Sequence, residues 1–252
     1  MDPADQSPEE VYSVWALPPE PVRGRLRRVM EGLRAAHGGP AFEPHATVVG
    51  AIRLRRSQAV EMLRTAAAGV SPYTARVTGV ARGDFFYQCV YLLLEPTPEV
   101  VGASDHCSGH FGYQRPTPYM PHVSLLYGDL TDEEKEEARK KVEELDKYIC
   151  GLQFEISELA LYRTDTEDKS LESWELVEVG HLEKKGIGAV QSDAIGRRRQ
   201  TKSKSVKGGF PDVDAKFDDI LLASAPGKCQ CYRRGNPANG RLCHVPSSPL
   251  HA

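Results

Sequence analysis

The chain has 252 residues with 40% hydrophobic and 27% charged side chains, enough to bury a substantial core as one large or two small domains. Its net charge of −3 is uneven: residues 183–252 hold 13 Lys/Arg against 6 Asp/Glu, and residues 1–182 hold 19 against 29. An acidic body lacks the broad positive surface that non-specific binding of long nucleic acid needs, and no apolar run approaches the ~18–20 residues that span a bilayer.

Residues 1–10 are polar and acidic, unlike a secretory or transit segment, and are expected to be disordered. Val11–Leu17 (VYSVWAL) reads as a buried strand stopped by Pro18-Pro19. Val22, Leu26, Val29, Met30 and Leu33 then share one helical face, closed by Gly38-Gly39-Pro40. His45–Ile52 predicts a strand, and Ser57 is placed to cap a helix whose apolar face is Ala59, Met62, Leu63, Ala66 and Ala67. Tyr73–Ala81 alternates as a third strand.

The order recurs. Phe86–Leu94 reads as a strand, Pro98–Phe111 as a glycine-interrupted helix, and His122–Tyr127 as a strand. Thr131 with Glu134 forms a capping box for a long helix with Ala138, Val142, Leu145 and Ile149 on one face. Leu152–Tyr162 and Trp174–His181 complete the body as strands. Two halves thus share the order strand, helix, strand, helix, strand, offset by about 76 residues. The expected fold is a duplicated, two-lobed α+β domain over residues 11–182, with two antiparallel sheets facing across a central cleft and helices outside. Residues 183–252 read as a basic, disordered tail. The six cysteines show no disulfide-framework spacing, which points to reduced thiols and an intracellular, by default cytoplasmic, setting.

Chemistry-bearing residues sit in the paired strands. The pattern H-x-[S/T] occurs three times, and roughly one copy is expected by chance. His45-Ala-Thr47 and His122-Val-Ser124 each open a strand, at matching places in the two halves. His106-Cys-Ser108 lies in a helical stretch and reads as structural. Residues i and i+2 of a strand point to one face, so each motif presents an imidazole and a hydroxyl together. Two such pairs facing one another supply what opening a cyclic phosphodiester needs: a base for water, an acid for the leaving oxygen, and donors to the phosphoryl oxygens.

Around these motifs, YSVWALPP, FYQCVYLLLEPT, HFGYQRPTPYMPHVSLLYG (His110–Gly128) and TDTEDKSLESWELV closely resemble the plant-type cyclic phosphodiesterases of the two-histidine phosphoesterase superfamily, over roughly Val11–Leu182. The resemblance implies hydrolysis of ADP-ribose 1″,2″-cyclic phosphate to ADP-ribose 1″-phosphate, and of nucleoside 2′,3′-cyclic phosphates to 2′-phosphates. It implies no metal or other cofactor, and a link to by-products of tRNA splicing. It makes His45 and His122 catalytic, Thr47 and Ser124 their phosphate-binding hydroxyls, and Trp15 and Tyr127 aromatics flanking the base. His122 is preferred as base and His45 as acid, although the two motifs are symmetric. Strict alternation would turn Tyr127 away from Ser124 unless the strand bends before Gly128.

Other candidates have plainer readings. Thr164–Lys169 resembles a cation loop but lacks the glycine and distal Glu of an EF-hand, and is expected to be a turn with capping side chains. Cys229, Cys231, Cys243 and His244 fit no zinc-finger spacing. Arg115 and Tyr119 precede His122 in a loop stiffened by Pro116, Pro118 and Pro121 and are candidates to touch phosphate. The expected partner is a small cyclic phosphate bound by a monomer, with a weak RNA contact through the tail and no membrane. Two rival readings stay open: an RNA-end processing or ligating enzyme on the same scaffold, and a non-catalytic nucleotide-binding module.

Overall fold

A computed structural model describes residues 7–115 and 117–184. The tail from 185 onward, with its basic cluster and its cysteines, lies outside the described residues, as do residues 1–6 and Pro116.

The body is α+β, and the predicted order holds. Strand β1 (Glu9–Leu17), helix α1 (Glu20–His37), strand β2 (Ala46–Arg55), helix α2 (Arg56–Gly69) and strand β3 (Tyr73–Arg82) form the first half. Strand β4 (Val90–Leu94), helix α3 (Pro98–Phe111), strand β5 (His122–Leu126), helix α4 (Asp132–Leu145) and strand β6 (Gln153–Ile156) repeat it, followed by β7 (Glu158–Arg163) and β8 (Glu175–His181). The two expected sheets prove to be joined. All eight strands lie in one curled sheet of order β6-β3-β4-β5-β2-β1-β7-β8. The lobes meet between β2 and β5, at the single register pair Ala46↔Val123.

Each half completes the other. Strand β3 of the first half pairs with β4, and β7 from the end of the second half pairs with β1. Neither lobe closes its sheet from its own half, so the duplication folds as one unit.

Alternation divides the two faces of the sheet. Tyr12, Val14 and Ala16 of β1 pack with Leu26, Val29, Met30 and Leu33 of α1 in the main core. Trp15 and Leu17 point the other way and form a small cluster with Ala160 on the concave face. Helix α4 starts as its sequence predicts: Thr131 Oγ1 accepts from the Glu134 amide at 3.3 Å, and the Glu134 carboxylate accepts from the Thr131 amide at 2.8 Å.

Five details differ from the sequence reading. Glu9 and Glu10, expected to be disordered, open β1 and pair with Arg55 and Leu54 of β2. Phe86–Gln88 is a 3-10 turn, because aromatic content reports packing rather than strand geometry. Helix α2 begins at Arg56, with Arg55 in the capping position, so Ser57 is not its cap. Helix α4 ends at Leu145; Ile149 is buried only after the chain has turned. Leu152–Tyr162 breaks at Ser157 because β6 pairs with β3 and β7 with β1, at opposite sides of the sheet.

Leu161, fully buried in β7, ties the second half to the first lobe. Leu161→Ala should lower unfolding free energy by about 3 kcal/mol in urea titrations, with a single transition retained.

Candidate functional site

The seam sets the site. Ala46 and Val123, the middle residues of the two H-x-[S/T] motifs, face each other across antiparallel strands. One residue either way in that register, His45 lies opposite Ser124 and Thr47 opposite His122. All four then share the face that Ala46 and Val123 do not, and all four line one cavity.

Both imidazoles are oriented by the same local contact. His45 Nδ1 donates to the carbonyl of Glu43 at 2.6 Å, and His122 Nδ1 donates to that of Met120 at 2.9 Å. A carbonyl only accepts, so Nδ1 carries the proton and Nε2 keeps a lone pair in each neutral ring. Burial pushes His45 down to about 3, against the Glu43 carbonyl that favours its charged form; the neighbouring His122 lowers it further. Burial also lowers His122, again opposed by its carbonyl partner. Both rings are therefore neutral at pH 7 in the unliganded protein.

Trp15 backs the first histidine. Its Cα is the register partner of Thr47, and its ring lies 3.5 Å from His45 at 6°. The opposite face of the indole is covered by Tyr162 at 3.8 Å, so Trp15 offers the cavity an edge. In the second half Tyr91 pairs with Ser124 and meets the His122 ring edge-on at 5.2 Å.

The cavity contains about 840 Å³ of empty space, its open mouth included, within the range of small-ligand sites. Tyr127 reaches it through a bulge: Tyr91 pairs with Ser124 but Val90 with Leu126, so β5 carries an extra residue. Leu125 and Leu126 both go to the core and Tyr127 returns to the cleft. Tyr127 then stacks on Phe42 at 3.9 Å. Gly39, at φ +96, permits this, since a Cβ there would collide with the Tyr127 carbonyl.

Arg115 and Tyr119 also line the cavity. Tyr119 donates to the Thr47 carbonyl at 2.7 Å, and the Arg115 guanidinium lies over its ring while holding Ser104 and Asp105. His106 stays apart, bonded to the Ala66 carbonyl at 3.2 Å between α2 and α3. The segment Thr164–Trp174 crosses the cleft. Tyr87 donates to the Thr166 carbonyl at 2.7 Å, Lys169 pairs with Asp129 at 2.7 Å, and Trp174 stacks on Tyr87 at 6.0 Å. Within it Asp168 accepts from the hydroxyls of Ser170 and Ser173, the capped turn that the sequence predicts. Ser13, Gln88, Thr164 and Trp174 carry no motif in the sequence and line the cavity through register and loop path.

Among the described residues, no helix is long and apolar enough to cross a membrane. Residues 18–168 match the family model described as the 2'-5' RNA ligase superfamily. A cyclic phosphodiesterase of Arabidopsis thaliana is 50% identical, covering 69% of this chain and 96% of that protein. A 2',3'-cyclic-nucleotide 3'-phosphodiesterase of Yarrowia lipolytica is 28% identical over 47% of this chain and 73% of its own. Among solved structures, E. coli LigT complexed with ATP matches 71% of this chain and 100% of that one, at 14% identity and a TM-score of 0.46.

The buried neutral rings link folding to pH. Above the ordinary value of 6.5, folded and unfolded chains both leave His45 unprotonated; between 6.5 and about 3 only the unfolded chain takes up the proton. Stability should therefore fall as pH drops from 7.5 to 5.5, by up to about 1.4 kcal/mol for His45, measured by urea denaturation. His45→Gln should flatten that dependence.

Proposed function

The chain belongs to the 2'-5' RNA ligase superfamily, and from that premise we infer that it hydrolyses cyclic phosphates by acid–base chemistry between its two histidines. The observation that carries this reading is the pair of Nε2 lone pairs facing one cavity beside two hydroxyls, across the Ala46↔Val123 seam. The cyclic phosphodiesterase related at 50% identity supports the reaction class.

In the proposed step, Nε2 of His122 takes a proton from water as its oxygen bonds to phosphorus. Protonated His45 returns a proton to the ribose oxygen as the phosphorus–oxygen bond of the ring breaks. Thr47 and Ser124 donate to the non-bridging oxygens, where charge is held through the pentacoordinate state. No cofactor or metal enters. His45 suits the acid role because its ring lies flat on Trp15, whose π-face favours an imidazolium. Burial keeps that proton off the free protein, and His45 takes it up from solvent as the negative charge of the bound phosphate favours the imidazolium.

We propose as substrates ADP-ribose 1″,2″-cyclic phosphate and nucleoside 2′,3′-cyclic phosphates, opened to the 1″- and 2′-phosphates. Tyr127 and the edge of Trp15 would border the base. The cleft is crossed by the Thr164–Trp174 segment, which favours a small ligand over an RNA strand. The setting would be cytoplasmic disposal of a tRNA-splicing by-product by a monomer, the basic tail adding at most weak RNA contact.

His45→Ala and His122→Ala should each lower kcat for 2′,3′-cyclic nucleotides by at least about a hundredfold, with unchanged circular dichroism. Activity should survive EDTA. Retention of wild-type rates by either variant would overturn the mechanism, and faster turnover of RNA-end cyclic phosphates than of mononucleotides would favour an RNA-processing role. Because both histidines are lowered from 6.5, kcat/KM should follow a bell with its maximum below pH 6.5. The kcat profile should lie at higher pH, since bound phosphate raises the acid.

A further inference from the structure

One residue with a carboxamide, Gln88, is among those that line the cavity. The side chain is buried, with 3% of the residue exposed, and Nε2 has no hydrogen-bond partner. An amide left in that state is costly unless something in the site completes it. From the geometry we propose that Gln88 is a substrate-positioning residue that hydrogen-bonds the edge of the nucleobase.

Two features point to the base rather than to the phosphate. First, the seam already offers an anion Thr47, the two imidazoles and Ser124, whose hydroxyl would turn from the Tyr87 carbonyl to which it donates at 3.2 Å. Second, Gln88 directly follows Tyr87 in the 3-10 turn, and the Tyr87 ring lies 5.4 Å from Tyr127 and 6.0 Å from Trp174. Such rings present π-faces that accommodate a heteroaromatic ring and disfavour an anion. A carboxamide there adds one donor and one acceptor in a plane, the pattern that base edges complement. Rotation of the amide by half a turn exchanges the two, so it meets either an oxo or an amino group. Ser13 and Thr164, also buried in the lining, already bond each other at 3.0 Å, whereas Gln88 Nε2 is without a partner among the described residues.

This assignment rests on the cyclic-nucleotide reading above. The test compares wild type with Gln88→Met, of similar length but without a donor or acceptor. Two substrates are used: cytidine 2′,3′-cyclic phosphate and its base-free analogue, 1-O-methylribose 2,3-cyclic phosphate. Loss of the contact should lower kcat/KM for the nucleotide about tenfold, mostly through KM, and leave the base-free substrate unchanged. The melting temperature should stay the same or rise, because the variant no longer buries an unpartnered amide. An equal loss on both substrates would place the contact at the phosphoryl group and overturn the proposal. So would an unchanged KM for the nucleotide, or a lower melting temperature, which would make the amide structural. Failure of wild type to turn over either substrate would instead strike at the cyclic-phosphate reading itself.

Discussion

The structure turns on a seam that is one residue pair wide. Strands β2 and β5 share only the register pair Ala46↔Val123, yet that pair joins two lobes into one eight-stranded sheet. Because side chains alternate, fixing those two residues against each other places His45, Thr47, His122 and Ser124 on the opposite face, within one cavity. A slip of one residue at the seam would turn a complete motif into the core. The exchange of strands between halves, β3 to the second lobe and β7 to the first, resists that slip by making each lobe depend on the other.

Enclosure governs the chemistry as strongly as register does. Both histidines are tied by Nδ1 to the carbonyl two residues earlier, which leaves both Nε2 atoms as bases in the neutral protein. Burial then keeps both uncharged. Two local symmetric motifs acquire different surroundings: a stacked indole for His45 and an edge-on tyrosine for His122. That difference is the physical basis for unequal roles in the proposed reaction.

Local pattern matches the fold where a segment reports its own surroundings and departs from it where distant partners decide. Helix α3 runs from Pro98 to Phe111, as its sequence predicts, because the proline and the following Gly112, in the left-handed region, punctuate it locally. Leu152–Tyr162 kept an apolar pattern through Ser157, where the chain leaves one side of the sheet for the other. Strict alternation turns Tyr127 away from Ser124 unless the strand bends, and the bulge at Leu125–Leu126 supplies that bend. Nothing in the local pattern of β5 announces the bulge, since both leucines suit a core.

By itself the sequence determined the element order, the duplication, and the two strands that carry a histidine and a hydroxyl two residues apart. Those follow from periodicity and side-chain type, which are local. Only the tertiary structure decided that the lobes share one sheet, that Trp15 lies flat against His45, and that the Thr164–Trp174 segment crosses the cleft to Tyr87. It also decided that Gln88 lies in the lining of the same cavity. Each of these depends on strand partners or loop paths far apart in the chain, and short-range pattern does not encode such distances.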